Sequence, residues 1–294
     1  MVYVIDVSSS TTFPTLTNDC NGDGVIDSDD DFAPADDATA SNPTANQIGS
    51  TLDCEVAGVM SLNDSLGSSS SVKVGIVVFA TRAATALSFR SNPDQDSDNN
   101  GISDIDEYLT DIHIGIEGTS FGTNFTRALD EMVSLFQTRS SSETRVAYFL
   151  TDGAAGSLSS SSVAAAAAEG ITVHTYAIGS SASDCTPSTF IQQIADGTGG
   201  TCTEVDDPST LSTILNTDAN LPPPGIQSVV VRLNGGSSVG ASVNSIGDFS
   251  HTYPAGSLSS GANTIEAELE ATTTQQLQLI LLSMPVDQTP SAMA

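Results

Sequence analysis

Val2-Tyr3-Val4-Ile5-Asp6-Val7-Ser8-Ser9-Ser10 is an apolar, β-branched run that stops at one carboxylate and then offers two spaced hydroxyls. A run apolar at every position suits a strand buried on both faces. Two similar runs follow, Val72–Phe79, with Ala84–Phe89 as its expected hairpin partner, and Val146–Leu150. Helical spacing is expected at 44–66, 123–136, 159–169 (closed by Gly170), 187–195 and 208–215, and further strands at 172–178 and 203–205. Strands alternating with helices give an α/β fold, a Rossmann-like, mostly parallel sheet with helices on both faces. Asp6, Ser8 and Ser10 then lie at the carboxyl end of the first strand, the edge where such sheets bind ligands.

The rhythm changes at 220–225, where Pro222-Pro223-Pro224-Gly225 reads as a stiff linker. Residues 1–219 form the α/β domain, with loop-like, acidic insertions at about 11–43 and 91–108. Residues 226–294 read as strand after strand (226–233, 239–243, 249–253, 263–270 and 276–282), a small Ig-like β-sandwich expected to be incomplete, since the tail after Pro285 is polar.

Composition narrows the function. The 294 residues carry 36 acids against 7 bases, a formal charge of −29, and Lys73 is the one lysine, so nucleic acid is excluded as a partner class. There is no apolar run of about 18 residues to span a membrane. The opening residues read as a strand and not as a charged leader, so a fragment without its signal peptide is expected. Cys20, Cys54, Cys185 and Cys202 suit an oxidising compartment, secreted or on a bacterial surface. Three pairings are open; Cys20–Cys54 with Cys185–Cys202 is favoured because each staples a loop to a predicted helix, and four free thiols are the alternative.

Asp6, Ser8 and Ser10 are hard oxygen donors of low total charge, a set that suits Mg²⁺. Gly122-Thr123-Asn124-Phe125-Thr126 adds a hydroxyl at the start of a helix, and Phe149-Leu150-Thr151-Asp152-Gly153 a carboxylate at the end of a buried strand. With these three segments in order, residues 1–217 resemble the von Willebrand factor type A family. The resemblance implies a metal-ion-dependent adhesion site made by Asp6, Ser8, Ser10, Thr123 and Asp152. It implies that Mg²⁺ (or Mn²⁺ or Ca²⁺) is held there with one coordination position open to an acidic side chain of a protein partner.

The insertions carry a second pattern. Asp19, Asn21, Asp23, Val25 (through its carbonyl), Asp27 and Asp30 fall at positions 1, 3, 5, 7, 9 and 12 of a calcium loop, with Gly24 at 6. Asp96, Asp98, Asn100, Ile102, Asp104 and Glu107 repeat that register with Gly101 at 6. The first resembles dockerin loops, with Asp at position 12, and the second the thrombospondin type 3-like repeats. Two isolated Ca²⁺ clips are expected, each pinning an insertion poor in apolar surface.

Other patterns weigh less. Gly118-Thr119-Ser120-Phe121-Gly122 matches a nucleophile elbow but lacks a strand to hold the serine. His113, His174 and His251 are scattered, and no base–nucleophile pair stands out, so no enzyme is expected. The leading function is an extracellular or surface adhesion module acting through a divalent cation. The alternative is a structural subunit of a surface layer, pilus or filament in which metals only rigidify.

Overall fold

β1 (Val2–Asp6) lies inside a six-stranded sheet, paired in parallel with β2 (Val74–Phe79) on one side and β4 (Arg145–Thr151) on the other. β5 (Ile171–Ile178) and β6 (Cys202–Val205) continue the parallel run, and β3 (Ala83–Arg90) closes the opposite edge as the antiparallel partner of β2. The order is β3-β2-β1-β4-β5-β6, a mostly parallel, Rossmann-like sheet. This computed structural model describes residues 1–12, 18–33, 48–67, 69, 71–153, 155–179, 185–219, 226–237, 239–243, 249–250 and 265–271. They divide into two compact units, Met1–Leu215 and Asn216–Ala294.

In the first unit, α1 (Thr51–Leu66), α2 (Asp104–Thr110), α3 (Phe125–Gln137), α4 (Ser160–Ala168), α5 (Phe190–Thr198) and most of α6 (Leu211–Asp218) connect and cover the strands. Val2 and Val4 share one core with Phe125, Leu129, Met132 and Phe136 of α3 and with Ile191 and Ile194 of α5. The period-2 alternation turns Tyr3 and Ile5 to the opposite face. Phe79, Phe125 and Phe149 meet with ring centroids 4.9–5.9 Å apart. Each such buried ring contributes about 1.5–3 kcal/mol. On the other face, α1 packs closely on α6, where a Cβ at Gly58 would meet Leu211 Cγ at 3.0 Å.

Three elements differ from the expectations. α1 starts at Thr51 and not near 44, because the Ser50 hydroxyl accepts from the Asp53 N–H while the Asp53 carboxylate accepts from the Ser50 N–H. α2 arises inside the acidic insertion read as loop, because Ser103 caps it by accepting from the Asp106 N–H at 3.0 Å. α6 is preceded by a 3₁₀ turn, Pro208–Thr210, capped by Asp207.

In the second unit β7 (Ile226–Leu233), β8 (Val239–Val243), β9 (Phe249–Ser250) and β10 (Ile265–Ala271) form an antiparallel sheet in the order β10-β7-β8-β9. The expected strand at 276–282 and the proline-rich stretch 221–225 lie outside the described residues.

Candidate functional site

The chain turns one way from β1, toward β2, and the other way from β4, toward β5, which makes the gap between β1 and β4 the switch point of the sheet. Splayed connections leave a crevice at the carboxyl ends of such strands. Asp6 ends β1, and Thr151 ends β4 immediately before Asp152.

These residues form a continuous path of oxygens. Asp6 Oδ1 accepts from the Ser8 N–H at 2.9 Å, and Asp6 Oδ2 accepts from the Thr151 hydroxyl at 2.6 Å. Ser8 Oγ and Ser10 Oγ lie 3.1 Å apart, and Ser10 donates to Asp152 Oδ1 at 2.9 Å. Asp6, Ser8 and Asp152 are buried and Ser10 is exposed, so the group reaches solvent over Ser10. Ser9 donates its N–H and its hydroxyl to the Phe121 carbonyl at 3.0 and 3.2 Å, docking the 121–123 loop beside the serines. The half-buried Thr123 is in that loop, just before α3, but its hydroxyl makes no hydrogen bond to the other four. The structure thus joins Asp6, Ser8, Ser10 and Asp152 directly and brings the loop of Thr123 to their edge.

Burial dominates the electrostatics. It raises the Asp6 carboxyl to about 7, with the Asp152 charge adding to the rise and the Thr151 and Ser8 hydrogen bonds opposing it. Asp152 is also raised by burial, against the Ser10 hydrogen bond. Sequence reasoning missed a third acid, Glu55 of α1. It is fully buried, and neither carboxylate oxygen has a hydrogen-bond partner of ordinary geometry. Burial, then the Asp6 and Asp152 charges, push its pKa well up, with only the Asp6 backbone amide helping the charge. No Lys or Arg pairs with any of the three among the described residues. A signal existed, since Glu55 stands one turn from each of Leu52 and Val59 on the buried stripe of α1. Thr151, which tethers Asp6, was also overlooked.

Among the described residues no three His, Cys, Asp or Glu side chains are grouped so as to hold a metal ion by themselves. A cation at the switch point would therefore depend on the serine and threonine hydroxyls as well as on Asp6 and Asp152. This donor set, neutral oxygens with few carboxylates around a buried and unneutralised charge, fits a hard divalent cation.

The segments 19–30 and 96–107 fold on one plan. In the first, Asp19 accepts from the N–H groups of Gly22, Asp23 and Gly24, Asn21 from that of Asp23, and Asp23 from that of Val25. In the second, Asp96 accepts from Asn99, Asn100 and Gly101, Asp98 from Asn100, and Asn100 from Ile102. Gly24 and Gly101 take φ of 89° and 93°, values that favour glycine at this turn. The loops part company at positions 9 and 12. Asp30 accepts from the Asn21 and Asp27 N–H groups, whereas Glu107 accepts from the Asn100 side chain. Asp104 is drawn away by Arg90, 2.6 Å from it, and by Ser97. Cys20–Cys54 ties the first loop to α1, and Cys185–Cys202 is the second disulfide, the favoured pairing.

The remaining residues singled out lie apart. His113 Nδ1 is 3.0 Å from the Ile114 carbonyl, and His174 Nδ1 is 2.8 Å from Thr201 Oγ1 with its ring stacked on Tyr148. Ser120, at φ 68°, follows a 3₁₀ turn and not a strand. His251 lies outside the described residues.

The model of the von Willebrand factor type A domain matches residues 55–217, a span that holds Glu55, Thr123 and Asp152 and begins after Asp6, Ser8 and Ser10. No curated protein matches. Among solved structures, a von Willebrand factor type A protein from Catenulispora acidiphila is 15% identical, with 94% of this chain and 63% of that one covered and a TM-score of 0.49. The conserved hypothetical protein BatB from Bacteroides thetaiotaomicron is 20% identical, covering 73% and 94%, with a TM-score of 0.46. The PilB minor pilin of Streptococcus sanguinis (a D319A mutant) is 14% identical, covering 73% and 58%, with a TM-score of 0.44.

Proposed function

The chain belongs to the von Willebrand factor type A domain family, and we propose that it is an extracellular protein-binding module that engages an acidic group of its partner through a divalent cation. The observation that carries this reading is the convergence of Asp6, Ser8, Ser10 and Asp152 at the β1/β4 switch point, with the Thr123 loop docked beside them. Asp6, Ser8, Ser10, Thr123 and Asp152 would hold Mg²⁺ or Mn²⁺. When bound, the cation supplies a Lewis-acidic centre for a carboxylate that the −29 chain would otherwise repel. Thr151 and the Ser8 amide fix the Asp6 carboxylate, and Ser10 orients Asp152. Phe121, 60% exposed beside the serines, offers an apolar contact to a guest.

The two insertions serve as calcium clips in the same reading. Position 1 in each loop already gathers three backbone N–H groups, which curls the chain around it. The disulfides and the absence, among the described residues, of a helix long and apolar enough to cross a membrane accord with a secreted or surface location.

The test is binding of the full chain to an immobilised aspartate-containing peptide in Mg²⁺ and in EDTA, with Asp152→Ala and Ser8→Ala as variants. Retention that needs Mg²⁺ and is lost in both folded variants supports the adhesion reading. Retention indifferent to EDTA and to both variants overturns it and favours the filament or surface-layer alternative.

A further inference from the structure

Glu55 has no role in packing that an apolar residue would not fill better. Its neighbours along the buried side of α1 are Leu52, Val56 and Val59, and its two oxygens are shielded from water with no hydrogen-bond partner of ordinary geometry. An ionised carboxylate so placed costs several kcal/mol unless something neutralises it. The helix is moreover fastened to the site. The Leu52 N–H donates to the Thr11 carbonyl at 3.1 Å, and the Thr11 hydroxyl donates to the Ser8 carbonyl at 2.8 Å, so the turn bearing Glu55 is anchored to the loop bearing Ser8 and Ser10. The negative charges that act on Glu55 are those of Asp6 and Asp152. All seven Lys and Arg residues lie among the described residues, and none forms an ion pair with this group.

We propose that Glu55 is the counter-charge beneath the cation site of Asp6, Ser8, Ser10 and Asp152, a third carboxylate that tightens the site's hold on a divalent cation and softens that cation's hold on an acidic guest. This rests on the cation-site reading given above. With Asp6 and Asp152 alone, a divalent ion leaves the site neutral. With Glu55 the site keeps a net negative charge, and ligand charge count is what sets affinity at oxygen-donor sites.

The experiment is Mn²⁺ titration of the full chain followed by electron paramagnetic resonance, together with thermal melts in EDTA, on wild type, Glu55→Gln, Glu55→Met and Asp152→Ala. Wild type is expected to bind one Mn²⁺ more than Asp152→Ala. Glu55→Gln should weaken that ion about tenfold to a hundredfold, the range for residues supporting a metal site from behind its ligands, and should raise the melting temperature in EDTA. Glu55→Met, of similar length without oxygen, should do the same and serves if the amide variant does not fold. Binding of that Mn²⁺ within twofold of wild type in the Glu55 variants overturns the role of Glu55 and leaves the cation site standing. So does a loss of folding by both variants in EDTA, which would make Glu55 a structural bond. Equal Mn²⁺ stoichiometry in wild type and Asp152→Ala instead removes the cation site, and the inference with it.

Discussion

The two edges of the central sheet treat charge in opposite ways. At the amino edge, Arg145 is buried at the start of β4 and donates to the Glu169 carboxylate at 2.6 Å and to the Glu169 and Arg139 carbonyls. Beside it Glu143 is shared by Lys73 and Arg139 at 3.1 and 2.7 Å. At the carboxyl edge Asp6, Glu55 and Asp152 are buried with no basic residue to answer them. A chain with seven bases has placed three of them where they close the fold, and the acids at the other edge are left for protons or a metal ion to neutralise. In the reading proposed above, the first edge serves stability and the second serves binding, the division expected of an open α/β sheet.

The largest effect should come from removing divalent ions. Each site held at a hundredfold excess over its Kd adds about 2.7 kcal/mol, or roughly 5–10 °C in melting temperature for a unit of this size. Calorimetry in EDTA against Mg²⁺ plus Ca²⁺ should show a drop of at least that size, and an unchanged melt would erase the difference between the edges. Next, Arg145→Ala should cost about 2–3 kcal/mol with or without ions, because it strands the Glu169 and Arg139 carbonyls. Urea titration measures it, and a loss that depends on Mg²⁺ would mean that the edges are coupled.

Acidity should sort the edges by sign. Burial raises Asp53, which receives the Ala33 and Ser50 N–H groups near the carboxyl edge, from 3.8 to about 6. The folded state then holds that proton more tightly than the unfolded one. In EDTA its contribution to stability therefore grows as pH falls from 7.5 through about 6 and levels off near 4. Glu143 is held at about 2 by Arg139 and Lys73, below its usual 4.5, so its contribution is lost only as pH falls from about 4.5 toward 2. Melting curves from pH 7.5 to 2 should show both arms, with Asp53→Asn lowering the slope of the upper one, to which Asp6 also contributes. The smallest effect is Lys73→Ala, which should leave the urea midpoint almost unmoved, because its ion pair with Glu143 is partly exposed and screened by solvent.

Much of this could be read from the chain. The strands Val2–Asp6 and Arg145–Thr151 declare themselves because both of their faces are buried, and Asp6, Ser8, Ser10 and Asp152 sit where those apolar runs stop. What was hidden depends on contacts remote in sequence. Glu55 looks like one more acid in an acidic chain until α1 is folded against β1, and Thr151 becomes an anchor only across a separation of 145 residues. The start of α1 and the whole of α2 were misplaced for a local reason, since Ser50 and Ser103 act as caps within stretches whose composition reads as loop. The same composition left Asp104 as a calcium-loop ligand, although Arg90 on β3 competes for it.

The most direct test is anomalous diffraction from crystals of the full chain grown with Mn²⁺. A peak bonded to the Ser8 and Ser10 hydroxyls beside Asp6 and Asp152 is expected, with the Ser10–Asp152 hydrogen bond replaced. Peaks confined to the loops at 19–30 and 96–107, with Ser10 still donating to Asp152, would contradict it.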